Sequence, residues 1–211
     1  MKKKNLTRKE KLINVAMDEF IENSYDEASL NNILKEARIS KGSFYYHFKN
    51  KKELYLYIYD QVVKDKISYL NEAMKETMGD ISRKDIFTIL RFLGKISLEF
   101  AVKYPKYYKL GKRIFEEKNE EIKVLTIVKA KSDESLILIE KLIKKAINNN
   151  ELRDDFSVDF ITRLLRHLMT NFSTICLDDM KDEIEGFDLD KILEVYDSYI
   201  DFIENGLGKK K

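Results

Sequence analysis

Apolar residues recur at three- and four-residue spacing along most of the chain, and this periodicity predicts a succession of amphipathic helices. Leu12, Ile13, Ala16, Met17 and Phe20 form the first stripe, on a helix from Thr7 to about Asn23. Thr7-Arg8-Lys9-Glu10 opens it as a capping box, Thr at the cap and Glu three residues on. Tyr25 is expected to pack beneath the turn that follows. Leu30, Ile33, Leu34 and Ala37 place a second helix, capped by Ser29, whose hydroxyl can accept a free N–H of the first turn. Arg38-Ile39-Ser40 is long enough only for a turn. Ser40 then caps a third helix of about two turns, from Lys41 to about His47. Ile39, Phe44 and Phe48 point inward, which leaves Lys41, Gly42, Ser43, Tyr45, Tyr46 and His47 outward.

Asn50-Lys51-Lys52-Glu53 repeats the capping-box spacing, so a long fourth helix starts here. It runs to about Met78 with Leu54, Ile58, Val62 and Leu70 inward, and Gly79-Asp80 breaks it. Ile81 to about Tyr104 is apolar on most sides and predicts a buried helix. Pro105 ends it or opens the next one, which carries Tyr107, Tyr108, Leu110, Ile114 and Phe115. Asn119 to about Asn150 holds one long stripe of Ile122, Leu125, Val128, Leu136, Ile139, Ile143 and Ile147, with a kink expected at Lys131-Ser132-Asp133-Glu134. Two helices close the chain, Phe156 to about Cys176 and Leu189 to Leu207. In the second, Leu189, Tyr196 and Ile203 recur every seven residues, as do Leu193, Ile200 and Leu207. That repeat suits near-parallel packing, and these two helices are the expected dimer contact. Residues 1–6 and Gly206–Lys211 are read as tails, and Lys2, Lys3 and Lys4 as solvated rather than as DNA contacts.

The outward set on the third helix suits a DNA groove. Lys41 can neutralise a phosphate or donate to guanine, serine and tyrosine hydroxyls reach phosphates or base edges, and Gly42 lets backbone come close. A short helix held by a turn against another helix is the geometry that enters the major groove. Ser40-Lys41-Gly42-Ser43-Phe44-Tyr45-Tyr46-His47-Phe48-Lys49-Asn50-Lys51-Lys52-Glu53-Leu54 resembles the signature of the TetR family of bacterial transcriptional regulators. The likeness extends upstream through Thr7–Phe20 and Tyr25–Ala37, roughly the first quarter of the chain. Arg38 stands where many relatives place glycine, and a positive φ there strains a non-glycine residue.

The resemblance implies an all-α fold. Residues 1–50 would form a three-helix DNA-binding domain with a helix-turn-helix, and residues 51–211 a helical effector-binding and dimerisation body. It implies a homodimer on a palindromic operator in double-stranded DNA, acting as a repressor. Base-edge contacts are expected from Lys41, Gly42, Ser43 and Tyr46, and phosphate contacts from Ser29, Ser40, Tyr45, His47 and Lys51. It also implies a small-molecule effector, apolar or amphipathic, in a cavity for which Phe92, Tyr104, Tyr107, Tyr108, Phe115, His167 and Asn171 are the candidates. A protein-binding adaptor of the same fold, with weak or secondary DNA binding, is the alternative reading.

Charge agrees with a nucleic-acid partner. Residues 1–55 hold 12 Lys and Arg against 8 Asp and Glu, whereas the rest of the chain holds 27 against 29. His47, His167 and Cys176 are too scattered for a metal site. The acidic run at Asp178-Asp179 and Asp182-Glu183 reads as a solvated face. No G-x-S-x-G, Walker A, GxGxxG or HExxH occurs, so neither catalysis nor a cofactor is expected. Cys176 cannot form an internal disulfide, being the only cysteine, and a buried inert thiol is preferred to a redox sensor. No apolar run reaches the roughly 18–20 residues of a membrane span. The basic start lacks the apolar stretch of a signal peptide, which places the protein in the cytoplasm.

Overall fold

The computed structural model describes residues 7–78, 83–131, 134–176 and 188–208, with side chains described except at 78 and 127–139. The tail lysines, the break at Gly79-Asp80, the Ser132-Asp133 interruption, the acidic run after Cys176 and the last three residues lie outside the described residues. The fold is all-α. The helices are α1 (Arg8–Glu22), α2 (Leu30–Ala37), α3 (Lys41–His47), α4 (Lys51–Ala73), α5 (Ile86–Lys103), α6 (Pro105–Phe115), α7 (Glu120–Lys131), α8 (Glu134–Asn148), α9 (Val158–Thr170), α10 (Phe172–Cys176) and α11 (Leu189–Leu207). A π-helical turn, Met74–Met78, finishes α4.

Two compact units divide the chain. Met1–Asp65 joins Tyr104–Lys131 in the first, and Lys66–Lys103 joins Ser132–Lys211 in the second. The units therefore differ from the single break at residue 50 that the sequence suggests: α6 and α7 belong with the N-terminal helices.

The first unit is built around Leu12, Ala16, Phe20, Ile33, Phe44, Leu54 and Ile58, all essentially sealed from solvent. Each large side chain among them stabilises the fold by about 1.5–3 kcal/mol through burial. Phe20 meets Tyr55 edge to face at 4.9 Å between ring centres, and Tyr25 meets the same ring at 5.3 Å. The predicted caps form. Thr7 and Glu10 exchange two hydrogen bonds, at 2.7 and 3.2 Å. Ser29, Ser40 and Asn50 accept from the amides of Asn32, Ser43 and Glu53.

The second unit packs α11 along α5, and α8 and α9 complete its core. Tyr196 lies against Gly94, where an added Cβ would overlap the ring. Its hydroxyl donates to the Leu90 carbonyl at 3.0 Å, and that of Tyr199 donates to the Leu168 carbonyl at 3.0 Å. Arg91 pairs with Asp201 and with Glu204, the latter at 3.0 Å.

Two boundaries differ from the sequence reading. Helix α5 begins at Ile86 because Asp85 caps it, accepting from the Thr88 amide at 2.8 Å. Of the long stripe after Asn119, α7 is described to Lys131 and α8 from Glu134, and the expected kink falls between them, outside the described residues. The stretch to Cys176 breaks at Asn171, whose side-chain amide donates back to the His167 carbonyl at 2.8 Å and ends α9. The seven-residue repeat of α11 also faces elsewhere than expected. Tyr196, Ile200, Ile203 and Leu207 are buried inside the unit, and Val195 and Phe202 are the large apolar side chains left outward.

Candidate nucleic-acid interface

Helix α3 is anchored by one face and free on the other. Phe44 is fully buried, and Phe48 packs beside it at 5.9 Å between ring centres. Lys41, Gly42, Tyr45, Tyr46 and His47 are exposed and Ser43 is half-exposed. Tyr46 is 84% exposed although its ring meets His47 edge to face at 5.0 Å between ring centres, so most of it faces outward. Gly42 has nothing within 4 Å of where a Cβ would stand, so no packing inside the chain requires glycine there. A helical glycine costs about 1 kcal/mol relative to alanine, and no packing among the described residues offsets that cost here.

The turn before α3 has the strained geometry anticipated for it. Arg38 adopts φ 57° and ψ 48°, and its N–H donates to the carbonyls of Leu34 and Lys35. Ile39 then donates to the Leu34 carbonyl at 3.0 Å, closing the end of α2.

Two of the residues expected at phosphates are engaged inside the unit. Lys51 donates from its ammonium to the carbonyls of Tyr25 at 2.6 Å, Ala28 at 2.8 Å and Asp26 at 3.4 Å. The same group sits 4.5 Å from the centre of the Tyr25 ring. Burial holds its pKa below the usual lysine value, and Asp26, Glu19 and Glu117 pull the other way. Ser29 gives its N–H to Glu19 at 2.8 Å, and the other oxygen of that carboxylate takes the Asn32 side chain at 2.6 Å. Glu19 thus stands at the positive end of α2, beside the position expected to meet a phosphate. Ser40, Tyr45 and His47 remain outward.

The α1–α2 loop is also held from the other side. The buried Glu117 accepts from the Tyr25 amide at 3.1 Å and from the Lys118 and Asn119 amides at 2.9 Å each. Asn119 donates to Asp26 at 2.8 Å, and Arg113 donates to the Glu22 carbonyl at 2.9 Å. These partners are up to 93 residues apart, and no local pattern in the sequence marks them.

The effector candidates are divided between the two units. Tyr104, Tyr107, Tyr108 and Phe115 belong to the first unit, and Phe92, His167 and Asn171 to the second. Tyr104 and Tyr107 stack at 5.6 Å, and Tyr107 donates to Asp65 at 2.8 Å. Burial and that carboxylate push the Tyr107 phenol up to about 12. Tyr108 and Phe92 are half-buried, whereas Phe115 and His167 are exposed. Asn171 and His167 meet each other, one turn apart on the same helix end. Cys176 is half-buried, and burial raises its thiol pKa.

Among the described residues no helix is long and apolar enough to cross a membrane. The same residues contain no group of three or more His, Cys, Asp or Glu that could hold a metal ion.

A helix-turn-helix with an anchored second helix and a bare outer face defines the class of helical DNA-binding proteins. Residues 12–58 match the family described as bacterial regulatory proteins, tetR family. Over 100 residues the chain is 34% identical to the biofilm operon icaADBC HTH-type negative transcriptional regulator IcaR of Staphylococcus aureus (strain Newman), covering 47% of this chain and 51% of that protein. The IcaR of Staphylococcus epidermidis is 32% identical over 115 residues, covering 54% and 59%. The chain thus spans about half the length of the curated relatives it matches. Its fold resembles the crystal structure of a TetR family transcriptional regulator from Chloroflexus aurantiacus J-10-FL, with a TM-score of 0.72 at 24% identity over 98% of this chain and 96% of that one. Residues 12–58 thus carry the family's N-terminal signature, and the rest of the chain shares the fold of such regulators.

Proposed function

We propose that the protein is a cytoplasmic transcriptional regulator that binds double-stranded DNA as a homodimer and represses genes beside a palindromic operator. The observation that carries this reading is α3, fixed by the buried Phe44, with open space at Gly42 and Tyr46 84% exposed. Lys41, Gly42, Ser43 and Tyr46 read base edges, and Ser40, Tyr45 and His47 hold phosphates. Two such heads meet half-sites about 34–36 Å apart, or a multiple of that. The last two long helices support pairing, since Phe160, Val195 and Phe202 stay exposed on α9 and α11. The names of the relatives, negative transcriptional regulators, support repression.

A small apolar or amphipathic effector releases the operator, and the half-buried aromatics Phe92 and Tyr108 are the places to test for it first. Moving a population from 1:99 to 99:1 requires the effector to prefer the released state by about 5.5 kcal/mol. The test is selection of bound fragments from genomic DNA at fixed moderate salt. Recovery of a palindrome is expected. Binding that is salt-sensitive but blind to sequence overturns the reading.

A further inference from the structure

An ammonium group has three N–H donors and no acceptor. In Lys51 three carbonyls of the α1–α2 loop receive them, those of Tyr25, Asp26 and Ala28. A phosphate oxygen could be reached only by abandoning one of these partners. The same loop receives Glu117 on its amide side, through the Tyr25 N–H. One short segment is therefore clasped through its carbonyls by the first residue of α4 and through an amide by the corner between α6 and α7. It leads directly into Ser29, the cap of α2, and α2 carries the turn that aims α3.

We propose that Lys51 and Glu117 are positioning residues for DNA recognition: they fix the pose of the α2–α3 pair through the α1–α2 loop, and Lys51 is not a phosphate ligand. The inference rests on the DNA-binding reading above. The burial that lowers the Lys51 pKa agrees with it, since a group poised for phosphate stays hydrated until DNA arrives. Glu19 adds to the argument. A carboxylate at the start of α2 repels the backbone of a nucleic acid and serves the Ser29 amide instead.

The two roles separate by salt. A lost phosphate contact lowers the slope of log affinity against log salt by about one and weakens all sequences alike. A lost positioning contact leaves the slope and costs discrimination. The experiment measures affinity of the full-length wild type, Lys51→Met, Lys51→Arg, Glu117→Gln and the double variant for the selected operator and for a random duplex, over a salt series. For Lys51→Met we expect operator affinity to fall about tenfold, the size of one lost base-pair readout. Random-duplex affinity and both slopes stay put, and Lys51→Arg recovers part of the loss. Glu117→Gln follows the same pattern although it never faces DNA, and the double variant is no worse than Lys51→Met, because both act through one loop.

A slope lowered by about one in Lys51→Met overturns the inference alone. So does a lowered melting temperature with the operator-to-random ratio intact, which would mark a merely structural contact. Full additivity of the two losses overturns the shared loop. Should Lys51→Met fail to fold, the Lys51→Arg and Glu117→Gln slopes and ratios decide in the same way. A wild type that prefers no duplex overturns the DNA-binding reading, and this inference with it.

Discussion

Each unit is held together internally by its own mix of contacts. In the first, charged side chains reach across long stretches of sequence to backbone groups: Lys51 to three carbonyls, Glu117 to the Tyr25 amide, Arg113 to the Glu22 carbonyl. In the second, the long-range polar contacts include tyrosine hydroxyls set on helix carbonyls, with both rings packed against Phe172. Charge–backbone contacts are directional and fix a pose. Ring packing is less directional and tolerates sliding, except where a glycine has made room for a ring. The unit that carries α3 gathers such contacts on one loop, whereas the second unit sets its own, such as Glu151 accepting from the Ile86 amide at 2.8 Å, beside tyrosine hydroxyls on helix carbonyls.

The contrast can be broken most forcefully at the anchor of α3. Phe44→Ala empties a fully buried site and is expected to cost about 3–5 kcal/mol. Urea unfolding measures it, and a cost under 1 kcal/mol would show that the helix does not depend on that ring. Next comes Gly94→Ala, which pushes a methyl into Tyr196 and is expected to cost about 1–3 kcal/mol through overpacking. A neutral result would mean that the second unit slides even there.

Gly42→Ala sharpens the comparison in the opposite direction. It should raise stability by up to about 1 kcal/mol, since nothing surrounds the site, while weakening operator binding. Thermal unfolding and a binding curve on the same sample check both signs. Tyr196→Phe should lose about 0.5–1.5 kcal/mol with its hydrogen bond to Leu90.

The smallest effect at neutral pH is that of the tyrosine protons, which is zero there and grows in alkali. Tyr107 and Tyr199 are raised from 10.0 to about 12, and burial lifts Tyr55 and Tyr196 further. Between pH 10 and 12 the unfolded chain therefore binds fewer of these protons than the folded one, so stability is full below pH 10 and falls as pH rises through that window. Phenolate absorbance that follows unfolding, rather than preceding it, is the expected observation. Tyr107→Phe should lessen the slope.

What could be read in advance was local. Thr7, Ser29, Ser40 and Asn50 announce helix starts because a cap and its target lie three residues apart. The outward face of α3 was legible for the same reason, from Phe44 and Phe48 alone. Asp85 was also a local signal, yet the apolar Ile81 drew the expected start of α5 forward. The clasp on the α1–α2 loop was hidden, because Glu117 lies 92 residues from Tyr25 and a lysine at the head of a helix next to a basic motif looks like a phosphate ligand. The repeat in α11 misled in a related way. A seven-residue apolar stripe says that a helix packs on something but not on what, and here Tyr196 and Ile203 turn to the unit's own core.

Arg38 has a bearing on how the chain can change over time. It holds a left-handed backbone that costs an L-residue about 1–2 kcal/mol, at an exposed position where glycine would sit without strain. Glycine would also remove a permanent positive charge from the turn between α2 and α3. One substitution therefore shifts two traits in opposite senses, making the fold sturdier and the head less cationic. A lineage selected for heat tolerance and one selected for grip on a polyanion would be pulled apart at this single codon.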